Sequence, residues 1–289
     1  MRELGPIHTK GATYRARAEA RQRTYRASAL DVEHGRFGHL LAQDAANAGH
    51  NFVVRAAFEA AQARRRRGKG VVDRTFDNML SSQAMCFNLF APLQSRLALA
   101  TDVLGPFVPG LAEVRSIEIE HTPARDIFND QSGLGGVDCD LLVEGKSSSG
   151  SPLVLVIETK FVEPEFSVCG FRQPRRAEKG LDVCPDDVPV RTERGACLYA
   201  RNKGYAYWLR TDEHRILSPG ALAELGCPFA GPRWQLWVNL VLAHEEAKRR
   251  GATDARFAVC ASANNAALLR GGEVLEGFRS LLRRPEAST

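Results

Sequence analysis

Carboxylates and an ammonium on neighbouring extended segments can hydrolyse a phosphodiester bond, and this sequence holds such a set. Glu158 and Lys160 are two residues apart, and side chains two apart on a strand point to the same side. They stand at the end of the apolar run Leu153 to Ile157. An unpaired charge there would cost several kcal/mol to bury, so the pair asks for a reason. Asp138 lies twenty residues before Glu158, at the start of the preceding extended segment, and Asp140 follows on the same predicted face. Phosphodiester hydrolysis needs hard oxygen ligands for a divalent cation, a water activated beside it, and positive charge for the phosphate. Asp138 or Asp140 together with Glu158 would hold Mg²⁺ or Mn²⁺, with Lys160 near the water or the phosphate. Spacing alone leaves Asp138 and Asp140 as alternatives. It also leaves a plain salt-bridged strand end, since E-x-K tripeptides are common.

The elements that must position these residues can be read from periodicity. Glu113 to His121 alternates as a strand, with Val114, Ser116, Glu118 and Glu120 on one side and Arg115, Ile117 and Ile119 on the other. Val137 to Val143 is a second strand, K-S-S-S-G (146–150) a turn, and Leu153 to Lys160 a third strand. The unbroken apolar run of the third suits a central strand covered on both faces. Before the strands, residues 11–30, 36–67 and 72–98 read as helical, with Gly49 interrupting the second. Ser81 and Ser82 are candidate caps, and Gln83 sits on the apolar face of the third, either as a satisfied core amide or as part of a site. After the strands comes an irregular insert over 163–192. Helices are expected near 193–209 and 234–249, a short strand from Arg256 to Ser262, and a final helix over 265–283. The expected fold is α/β (α+β), a central mixed sheet flanked by helices. Residues 1–71 form an N-terminal helical extension packed on a domain of residues 72–289.

The composition is that of a folded, water-soluble protein: 289 residues, 44% hydrophobic and 25% charged. No apolar run is long enough to span a bilayer, and the Arg-rich start lacks the apolar core of a secretory leader. A cytoplasmic location is expected. The net charge of +5 is a weak surplus, but its placement is uneven. Arg15, Arg17, Arg21, Arg23 and Arg26 crowd the start, and Arg64, Arg65, Arg66, Arg67 and Lys69 form a block. Such a block can neutralise phosphates of a nucleic acid, or complement a helix C-terminus. The seven cysteines are widely spaced, with no C-x-x-C, which fits free thiols better than a disulfide framework.

The order helix, strand, Asp-bearing strand, strand ending in E-x-K resembles the PD-(D/E)XK nuclease superfamily. N-M-L-S-S-Q-A-M-C-F-N-L-F (78–90), S-I-E-I-E-H-T-P-A-R (116–125), G-V-D-C-D-L-L-V (136–143) and I-E-T-K-F-V-E-P (157–164) are similar to a restriction-endonuclease-like bacterial subgroup of unsettled role. The resemblance runs from near residue 15 to the last helix. It implies a restriction-endonuclease-like core and a metal-dependent nuclease acting on nucleic acid, with DNA the expected substrate. It places the metal-binding Asp at Asp138 and leaves Asp140 as its neighbour. The family pattern E-x-K-Y-x-E falls on Glu158, Lys160 and Glu163, with Phe161 where Tyr is usual. Where related enzymes add a helix-borne acid, this sequence has Gln83, so Glu118 or Glu120 stands in as a further ligand. Gln235, in W-Q-L-W, matches a Gln of a later family helix. Enzymes of this kind often pair to cut two strands, which makes a homodimer the oligomer to test.

Two other readings remain. One is a nucleic-acid-binding protein that keeps the fold without the chemistry, against which stands the intact set Asp138, Glu158 and Lys160. The other adds a metal or iron–sulfur site on Cys169, Cys184, Cys197 and Cys227, as some superfamily nucleases have. Their wide spacing argues against it, because such sites usually show a tight cysteine pair. No G-x-S-x-G, Walker-type loop or H-E-x-x-H is present, and the seven histidines do not cluster in sequence.

Overall fold

The computed structural model describes residues 2–68, 70–130 and 137–288. Its centre is one four-stranded mixed sheet in the order β1-β2-β3-β4. The strands are β1 (Leu111–His121), β2 (Cys139–Ser147), β3 (Pro152–Lys160) and β4 (Asp254–Ala261). β1, β2 and β3 run antiparallel in turn, and β4 lies parallel to β3, with Glu158 beside Val259 and Lys160 beside Ala261. β3 is therefore central, as its apolar run demands.

Helices cover both faces, which gives the expected α/β architecture. Before the sheet come α1 (Tyr14–Tyr25), α2 (Gln43–Ala48), α3 (Arg55–Arg66), α4 (Arg74–Asp77), α5 (Ser82–Phe90) and α6 (Leu97–Leu104). After β3 come α7 (Pro174–Glu178), α8 (Leu198–Lys203), α9 (Tyr207–Glu213) and α10 (Arg233–Arg249), then α11 (Ala266–Leu269) and α12 (Glu273–Arg279) beyond β4. On one face Leu141, Val143, Leu153, Leu155 and Ile157 pack with Phe58 of α3 and Phe87 of α5. On the other, Leu142, Val154, Val156 and Phe257 pack with Trp237 and Val241 of α10. Odd and even positions of β3 thus feed two separate cores. Among the described residues no helix is long and apolar enough to cross a membrane.

The departures from the expected elements have local causes. Residues 36–42 are not helical, because Leu41 bridges to His34 and Leu40 to Asn78. Two of the N-terminal arginines are structural. Arg26 is fully buried and donates to the carbonyls of Gly38 (2.9 Å), Val32 and Glu3, while Arg23 donates to those of Leu4 (3.2 Å) and Gly5. β1 does not alternate throughout. Its register to β2 shifts between Val114 and Ser116, so Val114 shares a core with Ile117 and Ile119. At that shift a side chain on Gly145 would collide with the Glu113 carbonyl, so glycine is required there. The final helix is broken at Arg270–Gly272, where Arg270 and two glycines adopt positive φ.

Candidate metal centre

Glu158 continues the even-numbered face of β3 and so turns toward α10. Its Oε1 accepts from Lys160 Nζ (2.8 Å) and Gln235 Nε2 (2.6 Å), and its Oε2 from Asn239 Nδ2 (2.9 Å). Gln235 and Asn239 are one turn apart on α10, the spacing that puts two side chains on one helix face. Gln235 is itself held, since its Oε1 accepts from the Ser167 amide at 2.9 Å. Glu158 and Lys160 are both buried, at 5% and 7% exposure. Burial, then the charge of Asp140, pushes the Glu158 carboxyl up to about 7, against the pull of Lys160. For Lys160, burial works against the ammonium, but Glu158, Asp140 and Glu163 outweigh it and its pKa is raised.

Asp140 faces the other way, toward α5. Its Oδ2 accepts from both the amide and the hydroxyl of Thr159, each at 2.6 Å, and its carbonyl accepts from Cys86 Sγ of α5 at 3.5 Å. Strict alternation would place Asp140 with Leu142 on the α10 side. The β2–β3 ladder begins only at Leu141, and Cys139 joins the α10-side core in its stead. Glu120 lies across from Asp140, between the pairs Ile119–Leu141 and His121–Cys139. It has φ +56°, a left-handed conformation unusual for a strand residue. That kink turns Glu120 onto the α5 side, where it meets Gln83. Glu120 is 4% exposed, and burial, then Asp140 and Asp138, push its carboxyl up to about 9. Burial also raises the Asp140 pKa, despite the two Thr159 hydrogen bonds that favour its charged form.

The other expected residues sort themselves around this cluster. Asp138 is partly buried and near enough to Glu120 to act on its titration. Glu163 acts on both Asp140 and Lys160, and its Oε2 caps the Phe161 amide at 2.8 Å. Gln83 is the satisfied amide: it accepts from the Val72 amide (3.1 Å) and the Thr75 hydroxyl, and donates to Gly70 O (2.5 Å). It clamps residues 70–75 onto α5 and borders Glu120. Glu118 is drawn away, with its Oε2 on His121 Nδ1 at 2.9 Å, while His121 Nε2 reaches Glu246 of α10 at 3.0 Å. Burial disfavours the His121 cation, yet these two carboxylates outweigh it and raise its pKa to about 9.

The arginine block is only partly presented to solvent. Arg64 donates to the Glu120 carbonyl (2.7 Å) and the Thr122 hydroxyl (2.8 Å), and so braces the kinked end of β1. Arg65 pairs with Asp73 at 2.6 Å and lies over the Phe76 ring. Arg66 and Arg67 are exposed, and Lys69 lies outside the described residues. Sequence reasoning missed Asn239, Thr159 and the bracing role of Arg64. Asn239 was within reach: it follows Gln235 by four residues on a helix legible from its pattern.

The donor set suits a hard divalent cation. Glu120 and Glu158 are buried carboxylates whose pKa the charge of half-buried Asp140 raises, with Lys160 beside Glu158. Glu120 Oε1 is buried with no hydrogen-bond partner among the described residues. Such oxygens are stabilised by a cation or a proton. Among the described residues no three His, Cys, Asp or Glu side chains converge on one ion, so the carboxylates form a loose cluster rather than a finished cage.

The family model of the PD-(D/E)XK nuclease superfamily matches residues 9–179, more than half of the chain. No curated protein and no solved structure matches it. The matched span contains β1, β2 and β3 with Asp138, Asp140, Glu158 and Lys160, and on that match the chain belongs to the PD-(D/E)XK nuclease superfamily.

Proposed function

We propose that the protein is a Mg²⁺- or Mn²⁺-dependent endonuclease acting on DNA, with its centre at the ends of β2 and β3. The observation that carries this reading is the buried Lys160 at 2.8 Å from Glu158, beside carboxylates whose titration they share. A bound divalent cation supplies an acidified water and neutralises charge on the scissile phosphate.

The chain's own residues do the rest. Gln235 and Asn239 fix both oxygens of Glu158. Thr159 fixes one oxygen of Asp140. Glu158, Asp138 and Asp140 are the proposed metal ligands, and the electrostatic influence of Asp140 on Glu158 and Lys160 favours it over Asp138. Lys160 meets the phosphate or the attacking water. Phe161, next to Lys160, and Arg21 and Arg55 line a cleft of about 650 Å³. Its two arginines make it the proposed path for the nucleic acid, with exposed Arg66 and Arg67 as outlying phosphate contacts.

The test is cleavage of plasmid, linear DNA and RNA with Mg²⁺ or Mn²⁺, alongside Lys160→Ala and Glu158→Gln. We expect DNA cleavage by the wild type alone, abolished by chelation. Equal cleavage by the variants would refute the centre. Salt-sensitive binding without cleavage of any substrate would make the chain a nucleic-acid-binding protein on a nuclease fold.

A further inference from the structure

Four cysteines that are far apart in sequence meet in space. Cys169, Cys184, Cys197 and Cys227 all line one small cavity, walled by Trp208 and Trp237. Every pair among the four is close enough to interact electrostatically. All four are free thiols. They come from four separate loops: before the turn Gly170–Arg172, before Pro185, at the start of α8, and ahead of α10. The loops bring together in space what the sequence separates.

The surroundings favour thiolates held by metal. The Phe171 amide donates to Cys169 and the Phe229 amide to Cys227, each two residues along the chain. The Arg172 guanidinium donates to Cys184. The side chain of Arg172 is only 15% exposed, and its Nη1 also pairs with Asp186 at 2.5 Å. Without metal two of these thiols are costly to ionise: burial pushes Cys169 up to about 11 and Cys227 up to about 12.

A single zinc ion needs four sulfurs about 3.8 Å apart, as follows from tetrahedral Zn–S bonds of about 2.3 Å. Among the described residues no three His, Cys, Asp or Glu side chains are set to hold one ion. Four cysteines that share one apolar, aromatic-walled cavity without closing on a single ion suit a larger inorganic core.

We propose that Cys169, Cys184, Cys197 and Cys227 ligate one four-iron, four-sulfide cluster, which staples the loops between β3 and α10. Assembly is a ligand exchange with a thiol-bound cluster. Each cysteine S–H gives its proton to a departing carrier thiolate as its sulfur bonds to iron, and the core keeps its oxidation state. The completed cluster bears a net negative charge, which Arg172 and the two amide donors offset. The staple meets a need of the fold. Between β3 and α10 the chain forms only short helices, and a segment so poor in regular structure gains most from a cross-link.

The experiment supplies the full chain, without oxygen, with the four-iron cluster as its small-thiol complex, followed by desalting. About four iron and about four sulfide per chain should remain, with a broad visible absorption. Changing any one of the four cysteines to Ser should remove most of the iron, and Cys260→Ser should retain it. Limited proteolysis gives a second readout: the loaded wild type should resist cleavage across 163–232, and removing the iron should expose that segment. Three results would overturn the proposal: a wild type that keeps no iron and sulfide, one zinc per chain in their place, or iron retained equally when all four cysteines are Ser. The wild-type stoichiometry stands even if a variant fails to fold.

Discussion

At the scale of single residues, the centre turns on which aspartate of β2 meets the cation. Asp140 is fixed by Thr159 and acts electrostatically on Glu158 and Lys160, whereas Asp138 acts on Glu120. Asp140→Asn should therefore lower DNA cleavage on the order of 100-fold or more, as loss of a ligand or its equivalent does. Asp138→Asn should cost less. The reverse order in a Mg²⁺ titration of cleavage would hand the ligand role to Asp138. Asn239→Ala leaves Glu158 Oε2 without its donor. Outer partners of metal ligands are typically worth about 10–100-fold in affinity or activity. We expect a loss in that range with the fold intact by circular dichroism, and unchanged cleavage would remove Asn239 from the site. Glu158 and Lys160 were legible in the sequence, because charges ending an apolar strand need a reason. The direction of Asp140 was not: it precedes the β2–β3 ladder, which begins only at Leu141, so strand alternation does not reach it.

At the scale of elements, α10 is the scaffold for Glu158, and its own stability depends on pH. His244 packs its ring 5.1 Å from that of His214. Burial, then His214, lowers its pKa to about 4 from an ordinary value of 6.5. A histidine that stays neutral in the fold contributes stability above pH 6.5, and loses it as pH falls from there to about 4. The shift corresponds to roughly 3 kcal/mol at about 1.4 kcal/mol per unit. His244→Phe should therefore flatten the fall in urea stability between pH 6.5 and 4. An equally steep fall in the variant would assign the acid sensitivity to other groups. β3 and α10 were readable because each is a sustained run rich in apolar residues, buried over most of its length. Helix was expected near 193–209, where α8 lies and α9 begins, but α7 inside the insert was not readable, and the break between α8 and α9 is set by packing around aromatic rings such as Tyr199, Tyr205 and Tyr207.

At the scale of the whole molecule, α3 of the N-terminal extension shares a core with the sheet. Phe58 of α3 is 4% exposed and sits in the cluster that holds Leu141, Leu155 and Ile157. Its ring lies 5.5 Å from that of Phe52 and 6.2 Å from that of Phe76. Arg64, at the end of the same helix, braces the kink of β1 beside the candidate ligands. A helical extension could be read from the sequence, but its sharing of a core could not, because periodicity shows a face without naming its partner. We propose that the extension and the nuclease-like domain unfold as one unit. Removing a buried Phe costs about 3–5 kcal/mol. Phe58→Ala should then shift one cooperative transition of the whole chain to lower denaturant, with tryptophan fluorescence moving together with helix content. The tryptophans, Trp208, Trp234 and Trp237, all lie on the α10 side of the sheet, so their fluorescence reports on the opposite core from Phe58. If helix content falls first while the fluorescence transition stays in place, the extension is a separate folding unit, and the bracing of β1 by Arg64 does not hold the two together.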